Sequence, residues 1–360
     1  MVPWLSPARE IPMNELWFWL VAVMFSIYVV MDGFDFGAGI LHLVVAESNE
    51  ERREVLGAIG PFWDGNEVWL LATGGALFLA FPKVLAAGFS GFYLAVWLMV
   101  WSLMLRGISI EFRSHVQDGL WRHFWDGTFS VSSVLLPVLF GAALGNVLRG
   151  VPLDATGTFS MPLWTDFRLG SQPGVLDWYT LLVGLFALVV MAAHGSLFLA
   201  WKTDGPVHER SKALSMSLWR LVLVLWVLAS LATFFVNPGM LRHLAKAPLG
   251  WAATLVFLTG LGLVFAGIRQ RRFLLAFLGS GAFILGILAA SAACVYPVML
   301  RSTLDPAFDL TALNASSGPH GLRTGLRWWI IGFPLAIGYA VFLFRFHREK
   351  VKAAGEGEGY

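Results

Sequence analysis

Nine stretches of mostly apolar residues dominate this chain, each near or above the length of about 20 that a helix needs to cross a bilayer. They fall at 16–45, 61–81, 84–106, 127–148, 177–201, 215–236, 250–268, 273–297 and 328–346. The runs are long and continuous rather than short and alternating, so they read as helices and not as the strands of a barrel. Composition agrees. Of the 360 residues, 13% are charged and 57% hydrophobic, against about 25% and 45–50% in ordinary water-soluble domains. Seventeen Trp and 29 Phe suit helix ends seated among lipid headgroups. The expected fold class is an all-α integral membrane protein with about nine transmembrane helices in bundles. Residues 1–352 are read as a single polytopic membrane domain, and the Gly/Glu-rich tail 353–360 as disordered. The first run lacks a basic leader and a small-residue cleavage site, so it is read as a retained span.

Several function classes drop out. A lone cysteine, Cys294, supports neither a disulfide framework nor a multi-cysteine metal site. A net charge of +2 gives no reason to expect nucleic acid. Phosphate-binding, dinucleotide, nucleophile-elbow and HExxH motifs do not occur.

Basic residues orient the spans. The loops after spans 1, 3, 5 and 7, with the C-terminal tail, hold fifteen Lys and Arg. The opposite side holds nine, although it includes the two longest loops, and Arg220 lies within a span. The expected orientation is N-terminus outside and C-terminus cytoplasmic.

Charge within spans is costly and marks function more often than chance. Span 1 ends in Asp32-Gly-Phe-Asp35-Phe-Gly-Ala-Gly39, with the two acids three residues apart on one helix face. Either they mark a wetted helix end, or they form a polar patch that Gly33, Gly37 and Gly39 let neighbouring helices cover. Ser48-Asn-Glu-Glu51 predicts a capping box that opens a short surface helix. Span 2 begins Pro61-Phe-Trp-Asp64-Gly-Asn-Glu67-Val-Trp69, where Asp64 is either an N-cap partnered by Glu67 or part of a hydrogen-bonding patch. Gly74 and Gly75, further along, are expected to allow close packing. Span 3 leaves the membrane at Arg106 and continues to Glu111 and Arg113; Glu111 is either a boundary acid paired with an Arg or a functional one. With the orientation above, Asp32, Asp64 and Glu111 lie at the cytoplasmic ends of three consecutive spans, as a proton or cation route would require. Of eight histidines, His194 alone is expected within a span, with a packing role favoured over ligation; His42 is placed in an inner-side turn. The loop 298–327 reads as a turn-rich cap over a bundle end.

These residues together resemble the second subunit of the cytochrome bd-type quinol oxidases. The resemblance runs through Asp32–Gly39, Glu51-Arg-Arg, Gly60–Trp69, Gly74–Phe78, Phe89–Tyr93 and Arg106–Arg113, and returns at Asn314–Ser317. It implies a haem-poor subunit of a quinol:O2 oxidoreductase in the bacterial cytoplasmic (inner) membrane. Haem b and haem d would be ligated by a larger partner subunit, with quinol as substrate. A small single-span accessory subunit, membrane lipid and quinone are implied as further partners. No catalytic, cofactor-binding or metal residue is expected in this chain itself. Asp32, Asp64 and Glu111 match positions of the family's proposed proton route, although some members have Asp where this chain has Glu111. Arg301 departs from the apolar residue or Pro expected in the outer loop. A proton-coupled transporter using the same acids is the competing reading.

Overall fold

The computed structural model describes residues 12–170 and 173–351; the tail expected to be disordered lies outside them. Helices account for nearly all regular structure. They are α1 (Met13–Met31), α2 (Gly33–Val45), α3 (Asn49–Ile59), α4 (Trp63–Ala80), α5 (Pro82–Gly91), α6 (Tyr93–Phe112) and α7 (Gly119–Arg149). After them come α8 (Trp178–Lys202), α9 (Gly205–Val236), α10 (Gly239–Lys246), α11 (Pro248–Arg269), α12 (Phe273–Val295) and α13 (Pro319–Phe346). One small antiparallel hairpin, β1 (Val298–Leu300) with β2 (Leu310–Thr311), sits in the loop between α12 and α13.

Among the described residues, eight helical runs are long and apolar enough to cross a membrane, and nine if α4 and α5 count as one broken span. The break falls at the expected boundary between 61–81 and 84–106, but the span expected at 84–106 is corrected: its first part is α5, and the rest lies in α6. Phe81 leaves helical geometry before Pro82, because the proline ring clashes with a helical residue ahead of it. The chain turns by 117° between α4 and α5. A second irregular residue, Phe92, ends α5, and the continuous helix is α6. Hydropathy divides the chain here but cannot give the angle between two equally apolar segments.

Close packing follows the small residues. A Cβ added at Gly37 would lie 2.1 Å from the Met191 carbonyl oxygen and 2.6 Å from Gly195 Cα, so only glycine permits α2 and α8 to approach so closely. Gly260 and Gly286 on α11 and α12 meet the opposing backbone in the same way. Gly39 abuts Ser133 and Phe129 of α7, as expected of a glycine that lets a neighbour close over the acids. Gly74 and Gly75 do not fit that expectation: a Cβ at either would meet nothing within 4 Å.

The capping box at Ser48 is present in both directions, with Ser48 Oγ accepting from Glu51 N–H and Glu51 accepting from Ser48 N–H. The same carboxylate accepts from Arg210 of α9 at 2.6 Å, which ties the surface helix α3 to the bundle. In the loop after α12, Ser302 donates to the Leu153 carbonyl at 2.7 Å and Val151 N–H donates to the Arg301 carbonyl at 2.9 Å. The loops after α7 and α12 are thereby stitched together, and Arg301 takes part through its backbone.

Candidate functional site: a buried acid cluster

Helix α1 stops at Met31, and Asp32 occupies the joint before α2. That places its carboxylate in the interior rather than on a wetted helix end: Asp32 and Asp35 are each 0% exposed. Arg106, also fully buried, reaches in from the last turns of α6 and donates to Asp32 through Nη1. Its other terminal nitrogen meets Glu67 Oε1 at 2.5 Å. The guanidinium lies 4.8 Å from the centre of the Phe36 ring, so an aromatic face covers what the acids leave open. Asn66, one residue before Glu67 on α4, donates to Asp35 Oδ2 at 2.8 Å and to the Met31 carbonyl at 2.9 Å. The second bond holds the end of α1 where the helix has run out of partners. Four helices therefore converge: α1 and α2 at their joint, α4 near its start and α6 near its end.

The arrangement gathers three carboxyl groups around one guanidinium. Such a cluster sets carboxyls that can gain or lose a proton beside one fixed positive charge.

The three acids singled out in the sequence divide. Asp32 is at the centre of the cluster. Asp64 and Glu111 are exposed, but each rides on a helix that supplies the cluster: Asp64 is three residues before Glu67 on α4, and Glu111 five residues beyond Arg106 on α6. The capping alternative for Asp64 is not what the structure contains. Phe62 is the N-cap residue of α4 and makes no side-chain cap, while Glu67 turns inward to Arg106.

Sequence reasoning missed Arg106, Glu67, Asp35 and Asn66 as parts of one site. By sequence Arg106 reads as a basic boundary residue, and the signal that could find it is its place at the end of an apolar run without a loop following. His42 is a correction too. It lies inside α2, 0% exposed, with Nε2 2.7 Å from Asp126 Oδ1 of α7, because the helix continues past the acids to Val45.

His194 bears on cofactor binding. Its Nδ1 is 2.6 Å from Ser280 Oγ, its Nε2 3.1 Å from the Val30 carbonyl, and its ring stacks on Phe277 at 4.8 Å. Both nitrogens are engaged in joining α8 to α1 and α12, so the residue does not fit an axial haem ligand. No group of three or more His, Cys, Asp or Glu suited to a metal ion occurs among the described residues.

Comparison with known proteins adds to this geometry. The sequence profile of the family described as cytochrome bd terminal oxidase subunit II matches residues 13–347. The chain is 30% identical over 341 residues to cytochrome bd ubiquinol oxidase subunit 2 of Bacillus subtilis (strain 168), covering 94% of this chain and 97% of that one. It is 34% identical over 240 residues to cytochrome bd-I ubiquinol oxidase subunit 2 of Escherichia coli (strain K12), covering 65% of this chain and 62% of the relative. Its fold resembles a chain of the solved bd oxidase of Geobacillus thermodenitrificans, with a TM-score of 0.75 at 17% identity over 93% of this chain and 98% of the other.

Proposed function

The chain belongs to the cytochrome bd terminal oxidase subunit II family, and from that premise we propose that it is the haem-poor subunit of a bacterial membrane quinol:O2 oxidoreductase, serving proton uptake. It is a subunit of an oxidoreductase complex. In the proposed arrangement haem b and haem d, held by a larger partner subunit, supply the electron transfer from quinol and the reduction of O2 to water. This chain's part is to buttress that partner and to bring protons from the cytoplasmic side. A small accessory subunit, lipid and quinone complete the proposed assembly.

The observation that carries the reading is the set of three carboxyls about the buried Arg106, flanked by exposed acids on the two helices that supply it. Asp64 and Glu111, both exposed, are the proposed points of proton entry. Glu67, with 29% of its side chain exposed, lies between the surface and the buried Asp32 and Asp35. Arg106 offsets the charge of the acids, so that deprotonation in a water-poor interior is not prohibitive. Asn66 fixes Asp35, and Phe36 screens the guanidinium.

Asp64→Asn tests the proposal in the purified complex. Turnover is expected to fall by more than haem content, with Glu111→Gln and Asp32→Asn slowing proton delivery as well. Equal losses of turnover and haem would make Asp64 a folding residue and remove the case for a proton route through it.

A further inference from the structure

The acid cluster does not end at Asp35. Asp35, Gly39 and His42 recur at intervals of four and three residues, so they share one face of α2. Asp126, Ser130 and Ser133 recur likewise on α7. The two faces oppose each other in antiparallel register: His42 meets Asp126 at 2.7 Å, and a Cβ at Gly39 would strike Ser133. The register continues to Phe36 and Phe140, whose rings stack at 6.4 Å.

This seam is lined by buried polar atoms that have no hydrogen-bond partner within the described protein: Ser130 Oγ, Ser133 Oγ, His42 Nδ1 and Asp35 Oδ1. All four residues are more than nine-tenths buried. Ser211 on α9 is the one other serine in this state among the described residues. Ser26, Ser109 and Ser291 donate to the carbonyl four residues back, the ordinary choice of a helical serine in an apolar setting. Ser130 and Ser133 form no such bond. Asp126 accepts from His42 Nε2–H, which leaves Nδ1 as an acceptor on the ring's other edge. Buried polar groups in this state are normally joined by ordered water.

We infer that the α2–α7 seam binds a short file of ordered water running from His42 to Asp35, anchored by Ser130 and Ser133. Seven residues of helix separate its ends, about 10 Å of rise, too far for direct contact and within reach of a few waters. The file extends the proton-holding capacity of Asp35. The charges at its two ends favour opposite outcomes for a proton. At the far end Asp126 faces the two guanidinium groups of Arg113, at 2.5 Å, and Arg52, at 3.0 Å, as well as His42. At the near end Asp32, Asp35 and Glu67 surround the single Arg106. A proton in the file is repelled from the first and drawn to the second, so it stays beside Asp35. Ser130, Ser133 and His42 are positioning residues for that water and Asp126 fixes the His42 ring; none touches substrate.

The inference rests on the proton-uptake reading, and the test separates the two. In a high-resolution map of the intact complex, ordered water within hydrogen-bond distance of Ser130 Oγ, Ser133 Oγ and His42 Nδ1 is expected; a dry seam overturns the inference. The double variant Ser130→Ala/Ser133→Ala removes the anchors without adding bulk. Proton uptake in the first turnover, followed with a pH dye, should slow about tenfold or more, as for loss of a positioned proton-transfer element, while haem content holds. Uptake at the wild-type rate overturns the functional half of the inference while Asp32→Asn still slows it. If Asp32→Asn also leaves uptake unchanged, the proton-uptake reading itself has failed.

Discussion

Replacing Arg106 by Met should be among the most damaging single changes in this protein, and most of the damage should be reversible by a second change. Arg106 makes two ion pairs with different surroundings. Asp32 is 0% exposed, so removing its partner leaves an uncompensated buried charge, a loss of about 3–5 kcal/mol in comparable sites. The Glu67 side chain keeps 29% of its exposure and can rehydrate, so its share is below about 1 kcal/mol. Met restores apolar volume against Phe36, and packing adds little. Asp32→Asn should cost less than Arg106→Met, since Arg106 still has Glu67 to pair with. In the double variant no buried charge at position 32 remains, and it should be more stable than Arg106→Met alone. The coupling between the two sites should reach the upper part of the range of about 0.5–3 kcal/mol found for contacting residues. Denaturant-induced loss of helix and haem retention on heating, measured on the solubilised complex for the four members of the cycle, give the comparison. Additive losses would refute the argument that Asp32 depends on Arg106 for its charge.

Three further outcomes follow from particular contacts. Gly37→Ala should force α2 and α8 apart and cost about 1–3 kcal/mol, the usual range for overpacking, seen as lower thermal stability of the complex. His194→Ala should leave the haem absorbance bands in place while loosening α8 from α12, since its ring nitrogens serve Ser280 and Val30; loss of a haem band would contradict the packing role. Ser48→Ala should cost about 1 kcal/mol by removing a cap, read as faster proteolysis near α3. The Glu47 N–H and the Arg210 guanidinium hold Glu51 below its ordinary carboxylate range. A lowered folded-state value stabilises α3 at neutral pH and loses that contribution as pH falls through it, so the stability difference between the wild type and Glu51→Gln should shrink in acid.

Much of the fold was legible in the sequence because a bilayer imposes one strong rule, namely apolar runs of fixed length with internally satisfied backbones. The capping box at Ser48 was legible for a local reason, since it acts within a turn of itself; the glycines beside Asp32 were legible because a small residue admits a neighbouring helix, although which helix it admits is not a local matter. The bend at Phe81-Pro82 was less so: both arms are apolar, and hydropathy is blind to direction. Family membership leaves the symport reading without support.

The sequence alone suffices to say that this chain is built of membrane-spanning helices, that acids are scarce in it, and that Asp32 and Asp35 fall at the end of an apolar run. What only the tertiary structure decided is who faces whom. Arg106 follows Asp32 by 74 residues and His42 precedes Asp126 by 84, and no local pattern links such partners. In a water-poor interior a charge is tolerated only beside its complement, so the pairing depends on helix packing and emerges only when all the helices are in place.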